Sequence, residues 1–366
     1  MGFLSRPIPR IVLFPLLLTL SGCSGSADDY FDDFESRIRR PLQSELAEND
    51  IDHPPPSWPA YPERRHRLQP VADIREGVID VLAYRRCNML ELIAERNSIL
   101  GKVAPFSQRL LYELRFIDQG SHCLPSLNEQ DEAEQEFRQQ LQRVLNIKRA
   151  HLPERAIDLV YNSEEVEHQF SLAVDPLDFE QPLQAFPPVL AALDTLIRAM
   201  DEASQATKPG IFTHSITSAE LEEALATLHH QQEGARLLAS MRLVTRHLES
   251  NAAIINQRLD TQAVCTDGPN TTSRIMQNVF FRYYADPEKG IQPYLAAIYK
   301  GVQEWRSRWL ALQEKLPLPP VLNNQQNWLW SESEGYYGRY LRAQQAHTTA
   351  WQRLLKECQQ MPGSNN

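Results

Sequence analysis

Glycine is scarce in this chain. Only 14 of its 366 residues are Gly, about half the usual ~7%. Sheet-rich folds use glycine in tight turns and bulges, so the scarcity leans toward helices. Long hydrophobic runs are missing too. The run Ile11–Leu20 has ten residues, too few for a membrane-spanning helix, which takes ~20. Positive charge is in deficit, with 37 Lys and Arg against 47 Asp and Glu. A net charge of −10 argues against nucleic acid, because neutralising phosphates takes clustered Lys and Arg. The motifs of nucleotide and nucleophile chemistry are absent: no P-loop, GxGxxG, GxSxG or SxxK. Neither CxxC nor HExxH occurs, so no metal and no cofactor is expected, and no catalytic residue is assigned. What remains is 42% apolar and 23% charged, a folded globular composition rather than a disordered one.

The start of the chain reads as an address. Arg6 and Arg10 precede the ten-residue apolar run, the layout of a secretory signal. Then comes Leu20-Ser21-Gly22-Cys23, which resembles a bacterial lipobox. In such a segment small residues let the signal peptidase reach the backbone, and the Cys is linked to diacylglycerol and becomes the first mature residue. Two or three acyl chains would hold the protein on its membrane, since stable anchoring takes more than one. Ser24, rather than Asp, follows the lipid Cys. The expected place is therefore the inner leaflet of the outer membrane, with the body in the periplasm. Removal of residues 1–22 takes Arg6 and Arg10 with it, so the mature charge becomes −12.

Five Cys is an odd number. With Cys23 given to lipid, Cys87, Cys123, Cys265 and Cys358 remain, and in an oxidising compartment four thiols read as two disulfides. Residues 74–100 and 107–119 read as helices joined by a turn at 101–105, which brings Cys87 and Cys123 to similar heights. That leaves Cys265 for Cys358. The loops span 36 and 93 residues, worth roughly 4 and 4.5 kcal/mol in the chain-entropy account.

Apolar periodicity then organises the rest. Phe31, Phe34, Ile38, Leu42 and Leu46 share one face of a helix over 27–48, with Pro41 expected to kink or interrupt it. A Pro-rich strap follows at 51–73, with Trp58 and Tyr61 as anchors. Helix 74–100 carries apolar residues over a wide face and reads as central and covered. A charged helix spans 129–150. Residues 156–174 alternate, with Asn162-Ser163-Glu164-Glu165 between the halves, and read as a small β-hairpin; a helical reading of 153–161 competes. A helix opens at Pro187-Pro188 and stops at 208–210. Thr217 and Glu220 form a capping-box pattern ahead of a long helical run to Leu259, with a bend or break expected at Gly234. Leu295, Ile298, Val302, Trp305, Trp309 and Leu312 make a coiled-coil-like seam, and a final helix covers 325–360. No fixed-period repeat occurs.

Most candidate constellations have bland explanations. Glu165-Val166-Glu167-His168 has the Glu-x-x-His spacing of di-metal bundles but falls in the expected hairpin rather than on a helix. His229 and His230 point about 100° apart on a helix, one inward and one outward. Glu91, Glu95, Arg96 and Lys102 read as structural pairing near a helix end. The strongest anomaly is aromatic. Trp328, Trp330, Tyr336, Tyr337 and Tyr340 cluster around Gly335 and Gly338, as the lining of a groove for a glycan or peptide would; the alternative is a helical core with amphipathic aromatics at its rim.

The segment from Arg85-Arg86-Cys87-Asn88-Met89 through Ile99-Leu100-Gly101-Lys102, placed after a lipobox, resembles an uncharacterised family of proteobacterial lipoproteins, a domain of unknown function covering nearly the whole mature chain. The resemblance implies a lipoprotein and one continuous domain, and brings no activity. The expected architecture is mainly α: an elongated multi-helix bundle with a small hairpin near 156–174. Its parts are a signal peptide (1–22), a tether and strap (23–73), one helical domain (74–360) and a disordered tail (361–366). The leading functional reading is a binding or scaffold lipoprotein for an envelope protein, peptide or glycan, held to the membrane through Cys23. The competing reading is an enzyme acting on cell-wall or envelope substrates.

Overall fold

A computed structural model describes residues 26–44, 58, 60–68, 71, 78–171, 173–315 and 318–362, the backbone alone at 78–80. The signal segment, Cys23, residues 45–57 and 72–77, and the end of the tail lie outside the described residues. Among these residues fifteen α-helices occur and no strand. In chain order they are α1 (Ala27–Leu42), α2 (Arg64–Arg67), α3 (Val78–Ala83), α4 (Leu90–Asn97), α5 (Ile99–Lys102), α6 (Phe106–Cys123), α7 (Glu132–Tyr161) and α8 (Glu164–His168), followed by α9 (Phe186–Ala206), α10 (Ser218–His230), α11 (Glu233–Thr261), α12 (Thr271–Val279), α13 (Ile291–Lys315), α14 (Pro320–Trp330) and α15 (Tyr336–Glu357). None of the described helices is long and apolar enough to cross a membrane.

The helices pack around one hydrophobic core whose residues run from Ala27 to Cys358. The most extensive pairing joins α11 to α15; α6 lies on α7, α9 on α10 and α13, and α1 on α11 and α12. The stripe on α1 explains its docking. Phe31, Phe34, Ile38 and Leu42 are all at most 1% exposed, while Ser26 and Asp29 close a capping box at its start. Pro41 sits in the last turn of α1 without interrupting it, and the helix ends at Leu42 on a left-handed Gln43. The expected continuation to residue 48 does not occur as far as Ser44. The seam on α13 is core: Ile298, Val302, Trp305, Trp309 and Leu312 are fully buried.

Three expectations need correction, while the break expected near Gly234 is found at Gln231–Gln232. The hairpin at 156–174 does not form. Helix α7 runs through Tyr161, and Ser163 caps α8 by accepting from the Val166 N–H. The alternation misleads because Ala156, Ile157, Asp158, Leu159, Val160 and Tyr161 are all buried, at most 4% exposed. A helix covered on every side shows no face-specific period.

The central helix 74–100 is broken. Asn88 takes a left-handed backbone, φ 56°, closing a 3₁₀ turn at 84–87, and Ser98 is extended and caps α5 by accepting from the Gly101 N–H. Its far end is not covered either: Ile99 is 85% exposed and Leu100 80%. The run from Thr217 to Leu259 divides at Gln231–Gln232 into α10 and α11. The last helix divides at 331–335 into α14 and α15.

Candidate functional site

The five aromatics read as a groove are neighbours in space, but they are packed rather than open. Trp330, Tyr336, Tyr337 and Tyr340 are at most 5% exposed, and Trp328 is half-buried. The polar handles of Trp330 and Tyr337 have internal uses. Trp330 Nε1 donates to Gln326 Oε1 at 3.0 Å, and Gln303 Nε2 donates to the Tyr337 hydroxyl at 2.5 Å. Burial pushes the Tyr336 and Tyr340 phenols up from their ordinary range. The flanking glycines serve the turn between α14 and α15. A Cβ on Gly338 would run into the Glu332 carbonyl, and one on Gly335 would lie 2.6 Å from the Ser331 carbonyl oxygen. The expected groove is corrected to a core rim.

What covers that rim is the strap. Trp58 packs edge-on against Trp328, ring centroids 5.1 Å apart, and against Tyr336 at 4.7 Å. Tyr61 stacks on Phe170 at 5.0 Å. The deepest anchor is one that sequence reasoning missed. Arg67 is fully buried, donates to the Tyr161 carbonyl and the Glu167 carboxylate, and lies 4.5 Å from the centroid of the Tyr61 ring. An arginine in a basic run reads as solvated, so nothing local marked it.

Beyond Arg67 the strap borders a cavity of about 460 Å³. Arg64 and Leu68 come from the strap, Val103 from the α5–α6 turn, Phe106 and Arg109 from the start of α6, and Asn162 from the α7–α8 junction. Both guanidinium groups face one ring: Arg64 lies 5.1 Å and Arg109 5.6 Å from the Phe106 centroid. Asn162 is 1% exposed, and its Oδ1 has no partner. These residues come from separate segments, so no spacing in the sequence connects them.

The remaining candidates divide. His229 and His230 are both exposed, against the expected inward–outward split. His168 lies 5.5 Å from His229, centroid to centroid, yet no cluster of three metal-ligating side chains exists among the described residues. Glu91, Glu95, Arg85 and Arg86 are exposed. Arg96 Nη1 donates to the Gly101 carbonyl at 3.0 Å, a structural contact. The cysteines stand as Cys87 with Cys123, Cα atoms 5.5 Å apart, and Cys265 with Cys358, 5.2 Å apart, both at disulfide distance. The first pair meets although the arm carrying Cys87 is a 3₁₀ turn rather than a continuous helix.

Residues 31–362 match the family described as "Protein of unknown function (DUF3080)", so the chain belongs to that family. No curated protein and no solved structure matches it.

Proposed function

We propose that this family member is a lipid-anchored protein of the outer membrane whose body binds an envelope protein or peptide in the periplasm. The division of the cysteines carries the reading. Cys23 ends a lipobox, and the other four stand in two pairs at disulfide distance. Disulfides persist in oxidising compartments and are rare in the cytosol. Ser24 favours the outer membrane over the inner one.

The N-terminal helix supports an anchoring role. Only two residues separate Cys23 from Ser26, the cap of α1, a reach of about 10 Å at most. Helix α1 is bound to α11 by its buried stripe and by Arg246 with Asp28, 3.0 Å apart. A lipid on Cys23 would thus hold the core, and not a loose tail, close to the membrane. For binding, the support is the cavity beside the strap. Burial of the aromatic cluster removes the reason to expect a glycan and leaves a protein or peptide.

The test is fractionation with in-cell crosslinking. Wild-type chain is expected with outer membranes and crosslinked to an envelope protein. Cys23→Ser is expected to accumulate unprocessed or leave the membrane fraction. Unchanged fractionation of Cys23→Ser would refute the anchor, and recovery of no crosslinked protein would refute the scaffold.

A further inference from the structure

We infer that the cavity between the strap and the α5–α6 turn is a site for the C-terminal end of a peptide, held by its carboxylate, its last amide N–H and an apolar side chain. The inference rests on the binding reading above only in taking the ligand to be a peptide. At about 460 Å³ the cavity is of ligand size, within the ~300–1,000 Å³ of small-ligand sites. Three chemistries converge in it.

The first is cationic. Arg64 stands 4.0 Å from Glu164, at the outer limit of an ion pair, and its side chain is half exposed. Arg109 donates its Nε to the Ala104 carbonyl at 2.7 Å, so its two terminal nitrogens are left for a ligand. Both guanidinium groups lie near the Phe106 ring, 5.1 Å and 5.6 Å from its centroid, so one aromatic side chain is common to the two cations. Burial, then repulsion from Arg155, Arg96 and Arg64, pulls the Arg109 guanidinium below its ordinary range. A carboxylate would relieve that repulsion, and planar guanidinium groups bind carboxylates in a two-point fork.

The second is a buried acceptor. Asn162 Nδ2 donates to the Asp158 carboxylate at 2.8 Å. A carboxylate can only accept there, which fixes the amide orientation and leaves Oδ1 as the unpartnered atom. Such an atom calls for an N–H donor. The third is apolar. Leu68, Val103 and Leu225 form the walls, and Leu68 and Val103 are 42% and 72% exposed at the lip.

Together these features select among ligands. A fatty acid has a carboxylate and an apolar body but no N–H for Asn162. A phosphate or other polyanion meets Glu164 and Glu165, which also line the cavity. Glu222, a third acidic neighbour, is already engaged by Ser107 Oγ and Gln108 Nε2, each at 2.7 Å. A peptide terminus supplies one carboxylate, one N–H and one side chain.

The experiment is ligand-observed NMR on the full processed chain in detergent micelles, with three probes: N-acetyl-Ala-Leu with a free carboxylate, the same compound as its C-terminal amide, and decanoate. The expected result is saturable binding of the acid, with the amide and decanoate at least tenfold weaker. Arg64→Gln is expected to weaken the acid at least fivefold with an unchanged circular dichroism spectrum, and Arg109→Gln to do the same. Should Arg109→Gln fail to fold, the half-exposed Arg64 decides alone. No saturable binding, equal binding of acid and amide, equal binding of decanoate, or an Arg64→Gln variant that binds normally would each overturn the proposal. None of these results bears on membrane fractionation or crosslinking, so the failure of this site is distinguishable from failure of the lipoprotein reading.

Discussion

The indole of Trp58 meets the phenol of Tyr336 edge-on, ring planes 64° apart and centroids separated by 4.7 Å. One residue of a Pro-rich strap thereby seals an aromatic surface built by α14 and α15. Edge-to-face pairs add ~0.5–1.5 kcal/mol beyond their buried area, and Trp58 makes two, with Tyr336 and Trp328. Trp58→Ala is expected to lower stability by roughly 1–3 kcal/mol and to shift tryptophan emission to the red as Trp328 becomes wetter. Urea unfolding and fluorescence of the purified chain check this; unchanged emission would mean the strap covers nothing.

Lys148 and Glu113 form an ion pair at 2.8 Å between α7 and α6, with side chains 7% and 11% exposed. The ammonium also lies 4.5 Å from the centroids of both Tyr112 and Phe116. Burial pulls the Lys148 ammonium below its ordinary range, against the pull of Glu113. Removing one partner leaves the other charge buried, at a cost of about 3–5 kcal/mol. Lys148→Met is therefore expected to be severe, and Lys148→Met with Glu113→Leu to recover most of the loss. A double-mutant cycle in denaturant reads this; a double variant as unstable as the single one contradicts it.

His347 is 1% exposed, and its Nε2 accepts from Trp351 Nε1 at 3.0 Å. Burial depresses its pKa from 6.5 to about 3. The folded state therefore holds the ring neutral while the unfolded chain takes up a proton. This stability term is complete above about pH 6.5 and declines as pH falls toward 3, by at most ~1.4 kcal/mol per unit. His347→Gln is expected to flatten that part of the stability–pH curve. Parallel curves for the two proteins would refute the assignment.

Gly234 was flagged by the sequence as a break, and the break does fall at Gln231–Gln232, just before it. The glycine itself does a different job: a Cβ there would run into the Trp305 ring and lie 2.7 Å from Gln169 Oε1. The Gln169 side chain is fixed, since it accepts from the Gly234 N–H at 3.0 Å and donates to the Leu228 carbonyl at 2.6 Å. Gly234→Ala is expected to destabilise by about 1–3 kcal/mol, as overpacking does, although Ala is the better helix former. A thermal melt at or above the wild-type value would contradict the close approach.

Such cases show where the fold was legible. Stripes on α1, α9 and α13 were readable because one face is buried and the other wet. The last turns of α7 were not, because burial on all sides erases the period. Helix breaks at Asn88 and Ser98 depend on one residue's backbone each, which apolar spacing does not register. Aromatic density near residue 330 was visible, but density does not distinguish a groove from a core. The cavity residues Arg64, Arg109 and Asn162 meet only through tertiary packing, so no local signal joined them.

The central claim is that the five cysteines split into one lipid anchor and two bridges. The direct measurement is mass spectrometry of the chain isolated from its native membranes and digested without reduction. The account predicts an N-terminal peptide that begins at Cys23 and carries diacylglycerol, with linked peptides Cys87–Cys123 and Cys265–Cys358. An unacylated Cys23, or a linked peptide joining Cys87 to Cys358, would contradict it.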